Sequence, residues 1–298
     1  MSPDGLRARA RVLAAVRRWL EDHGYLEVPT PVVVPSPALE ENLFAVAAEG
    51  GFLRTSPEFA LKRVLAAGLC RIYEIGPCLR GREHGGWHGR EFTMLEWYRA
   101  GAELDDLMDE VEALVAIACE AVGRPPPASW RRATVRQVVR EATGLDVATA
   151  RATELALQES VWDDAFFRLW VERVEPTLSG ACFVRDWPAS QAALATVRDD
   201  GPWPVACRFE AYVDGVELGN AFLELTDGAE LRRRFEASAA VRRARGEVPH
   251  PIDEALLAAT DQLPRTAGIA VGVDRLVAVA CGWQGIHQGR VAAGEAPA

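Results

Sequence analysis

Asp214-Gly215 sits between two runs of alternating side chains, FEAYV before it and VELGNAFLEL after it. An Asp-Gly pair flanked in this way predicts a two-residue β-turn, because its two positions accept the positive φ that such a turn requires. The turn implies a long antiparallel hairpin and its register: Val213 opposite Val216, Tyr212 opposite Glu217 and Ala211 opposite Leu218. Glu210 then shares a face with Glu217, as diagonal neighbours roughly 7–8 Å apart at Cα. Two carboxylates at that separation can share Mg²⁺ ions with a polyphosphate. Strict alternation would send Asn220, Phe222 and Glu224 to the other face, whereas a bulge at Gly219 would return them to the face of Glu217. An edge hairpin with solvent-facing glutamates is the bland reading of the same residues.

The rest of the chain surrounds this hairpin with helices and further strands. Leu6, Val12, Leu13, Val16 and Leu20 have helical spacing over 6–23, with Gly24 as the stop. Tyr25 to Val34 is β-rich, but Pro29 and Pro31 confine it to an edge or interface strand. Ser56-Pro57-Glu58 opens a helix over 58–67. Arg71–Arg80 and Glu91–Tyr98 read as strands joined by a Gly-rich loop, and 103–122 as an amphipathic helix. Pro125-Pro126-Pro127 opens a mostly helical segment to about residue 180. Strands resume at Cys182–Arg185 and over the hairpin, followed by a charged helix at 228–245. This order predicts an α+β fold, an antiparallel sheet flanked by helices, in a single domain over 1–298.

Composition narrows the function. A net charge of −10 disfavours a surface that grips nucleic acid all over. The most apolar stretch, Ala267 to Gly282, is interrupted by Asp274 and Arg275, so no membrane span is expected. Six cysteines without C-x-x-C spacing argue against a zinc site or a disulfide framework and suit a reducing cytoplasm. Lys62 is the single lysine; arginine carries the remaining positive charge, which reads as a coding bias.

Two further constellations flank the hairpin in sequence. Arg80 stands where one predicted strand ends, and His88 and Phe92 where the next begins, so a guanidinium and an aromatic ring share a rim. An arginine there can clamp a carboxylate or phosphate bidentately, and the ring can stack a base. In Gly268-Ile269-Ala270-Val271-Gly272-Val273-Asp274-Arg275, alternating glycines leave room for close approach to a strand, and charge follows at the start of an apolar helix.

Taken in this order, the three constellations resemble the class II aminoacyl-tRNA synthetases, lysyl branch. Leu26-Glu27-Val28-Pro29-Thr30-Pro31 looks like the dimer-forming first motif. Arg80 through Glu91-Phe92-Thr93-Met94-Leu95-Glu96-Trp97-Tyr98 looks like the second, and Gly272-Val273-Asp274-Arg275 like the third. The resemblance covers nearly the whole chain except about 125–180, and EFTMLEWYR is its most specific run. It implies an amino-acid pocket of Ser56, Pro57, Glu58, Glu96, Tyr98, Asn220, Phe222, Glu224 and Ala270. It further implies an ATP site of Arg80, Glu83, His88, Phe92, Glu217, Leu218, Gly272 and Arg275, with Arg80 and Arg275 catalytic and Glu210 and Glu217 holding Mg²⁺.

The helix of the first motif begins within ten residues of Met1, so no anticodon-binding domain is expected. The chain therefore looks like a member of the elongation factor P–lysine lysyltransferase family. Thr55-Ser56-Pro57-Glu58, Phe183, Pro188-Ala189-Ser190-Gln191 and Ala270 look like that family's versions of their segments. That resemblance implies ATP-dependent activation of lysine or (R)-β-lysine and its transfer to a lysine of elongation factor P, by a cytoplasmic homodimer with no need of tRNA. Two departures stand out. Where the family usually reads Asn-Glu after the motif arginine, this chain has Gly81-Arg82, with Glu83 one place late. Where it usually reads Asn-Pro after His88, this chain has Gly89-Arg90. A ligase with another acceptor, or an inactive binding paralogue, is the alternative that these residues leave open.

Overall fold

The computed structural model describes residues 2–40, 42–83, 85–155 and 161–291. Helix α1 (Pro3–Asp22) starts where Ser2 Oγ accepts the Gly5 N–H at 3.0 Å and Pro3 takes the first turn, and it stops before Gly24 at φ +78°. Its stripe of Ala8, Val12, Val16 and Leu20 is buried. The segment after it is not one strand. Pro29 and Pro31 split it into β1 (Leu26–Glu27) and β2 (Val33–Val34), which belong to different sheets. β2 pairs with β4 (Gly51–Leu53), which also pairs with β3 (Val46–Ala48).

Helix α2 (Glu58–Ala66) leads to the hairpin of β5 (Arg71–Leu79) and β6 (Glu91–Ala100), and then to α3 (Leu104–Ala121), opened by a reciprocal cap between Glu103 and Asp106. The region after the three prolines contains β7 (Trp130–Thr134), α4 (Val135–Thr143), α5 (Ala152–Leu155) and α6 (Trp162–Leu169). The described part of this segment is mostly helical, as expected, with β7 as an unforeseen strand. This strand pairs in parallel with β8 (Ala181–Pro188), with Trp130 stacked on Phe183, and five residues with two arginines give too little alternation to reveal it. β9 (Val197–Arg198), β10 (Val205–Val213), β11 (Val216–Leu223), α7 (Gly228–Ala244), α8 (Glu254–Thr260), β12 (Thr266–Gly272) and α9 (Val273–Cys281) complete the chain.

The main sheet runs β1-β5-β6-β12-β11-β10-β8-β7, with β9 alongside β10. It is antiparallel except at its two edges, where β1 joins β5 and β7 joins β8 in parallel. Alternation sends Leu95, Trp97, Phe209, Ala211, Ile269 and Val271 to one face, where α1, α3 and α9 cover them in the main core. Burying one such side chain contributes about 1.5–3 kcal/mol. The other face carries the polar partners of these residues.

The central hairpin forms with a change of register. Val213 pairs with Val216 and Tyr212 with Glu217, but Ala211 then meets Gly219 and not Leu218. Leu218 is the extra residue of a β-bulge, and its side chain joins the core. The bulge therefore falls one residue before Gly219, with the consequence expected of it: Glu210, Tyr212, Glu217 and Asn220 share the polar face. Gly219 permits it, because a Cβ there would lie 2.5 Å from the Ala270 carbonyl oxygen and 2.7 Å from Val271 Cγ2. Gly219→Ala is expected to destabilise the fold by about 1–3 kcal/mol, the usual range for a forced clash in a packed interior; urea denaturation measures it.

Candidate active site

The polar face of β6, β10, β11 and β12 forms the floor of a cleft of about 2070 Å³. Helix α7 and residues 163–176 contribute to its walls, and the loop between β5 and β6 lies across one end.

At that end are the two motif arginines. Arg275, in the first turn of α9, donates to Glu217 O at 2.9 Å and Trp87 O at 3.2 Å, and its Nη2 lies 2.7 Å from His88 Nε2. Its Nη1 also lies 3.3 Å from Glu217 Oε2. Partial burial and the Arg275 charge lower the pKa of His88, which favours the neutral ring that can accept from Arg275. Arg80 differs from every other arginine lining the cleft: it has no carboxylate partner among the described residues. Its Nε donates to Thr55 O at 3.3 Å, and its guanidinium lies 5.2 Å from the centre of the Phe92 ring. An unpaired cation facing a cleft is a ready anion site. Gly272 also lines this end. Of the expected nucleotide residues only Leu218 turns away, since the bulge buries its side chain in the core and leaves its backbone to the cleft.

Both departures in the loop have structural partners. Arg82 adopts φ +64°, leaves the cleft, and lies 3.8 Å from the centre of the Phe44 ring and 3.6 Å from Glu247. Glu83 consequently turns into the cleft, 3.9 Å from His88. Gly89 makes room for Arg290, whose Nη1 would be 2.5 Å from a Cβ there and which donates to the Glu91 carbonyl.

Glu210 and Glu217 both line the cleft. Burial pushes the Glu210 carboxyl up to about 7, although Arg208 and Tyr212 both donate to it. Arg208 is itself buried against Trp187. No cluster of three or more His, Cys, Asp or Glu suited to a metal exists among the described residues. Two carboxylates with spare lone pairs fit Mg²⁺ that arrives with its phosphate ligands and keeps some of its waters.

The other end is anionic and largely beneath the floor. Asn220, Ala270 and Glu96 form one row across β11, β12 and β6; Phe222, Gly268 and Tyr98 form the next. Glu96 is buried and accepts from Ser56 Oγ at 2.7 Å and Tyr98 Oη at 2.6 Å. Burial, and then the charge of Glu58, push its carboxyl up to about 8. Ser56 also receives the Glu58 N–H, closing the turn through Pro57 into α2. Glu58, Asn220, Phe222 and Ala270 line the cleft, and the buried Asn220 Oδ1 has no partner. Glu96, Tyr98 and Glu224 lie behind them. Gly268 is necessary here, because any Cβ would strike the Tyr98 ring and crowd Glu224.

Three features carry no signal in the sequence. They are the Lys62 ammonium between Glu58 and Glu224, the Arg208 prop behind Glu210, and the buried Asp274, which ties Arg9 of α1 (2.7 Å) to the Thr93 N–H (2.8 Å). Lys62–Glu224 and the two Asp274 contacts join residues distant in sequence, and Arg208 acts from two positions before Glu210.

The profile of the class II tRNA synthetases (D, K and N) matches residues 2–291. Among curated relatives, the elongation factor P–(R)-β-lysine ligase of Pectobacterium atrosepticum is 38% identical over 297 residues, covering 92% of this chain and 90% of the relative. Those of Photorhabdus laumondii and Vibrio cholerae are 39% and 37% identical, each covering 93% of this chain and 91% of the relative. The chain belongs to this synthetase family, on its elongation factor P–(R)-β-lysine ligase branch. The match runs through residues 125–180 as well, which the motif resemblance had left out. Arg80, without a carboxylate partner among the described residues, is open to an anion that enters the cleft. Arg80→Ala is expected to lower adenylate formation about 10²–10³-fold, and the outward Arg82→Ala by less than about tenfold, measured by pyrophosphate exchange. Equal losses would misplace the catalytic arginine.

Proposed function

We propose that this chain activates lysine or (R)-β-lysine with ATP as an aminoacyl-adenylate and transfers the aminoacyl group to a lysine side chain of elongation factor P. The observation that carries this reading is the polarity of the cleft. An unpaired guanidinium stands at the loop end, and a buried cluster of carboxylates lies at the other. A substrate with a side-chain ammonium at one end and a carboxylate that must meet a phosphate at the other spans such a site in one orientation. The names of the relatives agree with it.

In the first half-reaction a carboxylate oxygen of the amino acid attacks the α-phosphorus, and the bond to pyrophosphate breaks. Holding the two reactants in line converts an encounter into a unimolecular step. Arg80 is placed to stabilise charge on the phosphate, and Arg275 is held rigid by Glu217, the Trp87 carbonyl and His88. Glu210 and Glu217 would hold the Mg²⁺ that accompanies the nucleotide, which would supply neutralisation of polyphosphate charge there. In the second half-reaction the neutral amine of the acceptor lysine attacks the acyl carbon, an amide forms and AMP departs.

We further propose a homodimer formed through β1 and the segment of Pro29 and Pro31. Leu26 and Val33 support it, being 53% and 45% exposed beside an unpaired sheet edge. A cytoplasmic location is proposed from the six cysteines, none of which is disulfide-bonded. No helix among the described residues is long and apolar enough to cross a membrane.

ATP–pyrophosphate exchange tests the reading. Exchange that depends on lysine or β-lysine and proceeds without tRNA is the expected result. Background exchange with both, and with the standard amino acids, would remove it.

A further inference from the structure

Lys62 is the only lysine among 33 basic residues, and it is not on the surface. It lies on α2 one turn after Glu58, with 3% of its surface exposed. Its Nζ is 2.6 Å from Glu58 Oε1 and 2.6 Å from Glu224 Oε2, so one ammonium ties the start of α2 to the end of β11. Burial alone would lower its pKa. The charges of Glu224 and Glu58 outweigh burial and hold the ammonium above the ordinary lysine range. Glu96 and Tyr98 on β6 face the same carboxylates, with Arg54 and Glu74 closing on each other beyond them at 2.7 Å, and α8, packed on α2, brings Asp253, which pairs with Arg63 at 2.6 Å. A compact ammonium can touch two carboxylates at once in a tight space, where a planar guanidinium would need a wider fork.

Resting on the function proposed above, we infer that Lys62 is a positioning and specificity residue of the amino-acid pocket, its ammonium fixing Glu58 and Glu224 and setting how much positive charge the pocket takes from substrate. Three carboxylates and one ammonium leave two negative charges when all are ionised. A diamino acid brings two ammonium groups, and its own carboxylate is consumed in the adenylate. Lys62 also keeps Glu224 out of the cleft and holds Glu58 by one oxygen, so the second oxygen of Glu58 remains available to the ligand. Without Lys62, Glu58 and Glu224 would face each other across a buried gap, and one of them would take up a proton.

The test is pyrophosphate exchange by the full chain with KM measured separately for lysine and for ATP. Lys62→Met, uncharged and of similar length, is expected to raise the lysine KM about tenfold or more while leaving the ATP KM within about twofold, because Arg80 and the loop end are untouched. Its lysine KM is also expected to depend on pH more steeply than that of wild type, as the Glu58–Glu224 pair shares a proton. The double variant Lys62→Met/Glu224→Gln removes the carboxylate that would share the proton, and it is expected to recover part of the lysine KM and to lose the added pH dependence. It also serves where the single variant fails to fold. An unchanged lysine KM in Lys62→Met, a parallel rise in both KM values, or a double variant no better than the single one would overturn the role of Lys62 alone. Wild type without lysine- or β-lysine-dependent exchange would overturn the underlying function too.

Discussion

The site depends on one residue too many in β11. Had Ala211 paired with Leu218, Asn220 and Phe222 would have pointed into the core beneath α3 and α9. Insertion of Leu218 between Glu217 and Gly219 shifts the alternation by one. The same strand then presents Glu217 toward the loop end of the cleft and Asn220 and Phe222 toward its carboxylate end, all on one face. The bulge also gives the core a leucine from a strand whose neighbouring positions face the cleft. It is possible because Gly219 has no Cβ to meet the Ala270 carbonyl.

Charge is divided along this face. At the loop end Arg275 is neutralised and immobilised, and Arg80 is left free, so one cation is available without an induced rearrangement. At the other end the carboxylates are mostly withdrawn from solvent. Burial pushes Glu96 up to about 8 and Glu224 up to about 7, so neither is fully committed to its charge at neutral pH. Lys62 opposes that trend for Glu224, and Ser56 and Tyr98 oppose it for Glu96. An incoming ammonium would act in the same direction on both. A pocket of this kind discriminates by what it lacks: without a cationic ligand, its carboxylates are under-compensated.

Much of this was legible from residues alone, where local chemistry dictates geometry. Asp214-Gly215 announced its turn, Ser56-Pro57-Glu58 its helix start, and Arg80 with Phe92 a shared rim. The limits lay where tertiary contacts decide. The bulge was foreseen but placed one residue late, because alternation cannot say whether Leu218 or Gly219 is the extra residue. The place of Arg82 was not legible, because Phe44, nearly forty positions earlier, provides the surface onto which it folds away while Glu83 lines the cleft. β7 was missed because a parallel edge strand with Arg131 and Arg132 has no periodic signature. Lys62 read as a relic of composition until α2 carried it to Glu224.

If the buried carboxylates are what recognise the amino acid, its terminal ammonium must supply most of the discrimination. Calorimetric titration of the protein, saturated with a non-hydrolysable ATP analogue, with lysine and with norleucine isolates that group, because norleucine has a methyl where lysine has the ammonium. Lysine is expected to bind at least about thirtyfold more tightly, the lower end of the cost of leaving a buried charge uncompensated. Equal affinities would contradict a pocket that reads charge.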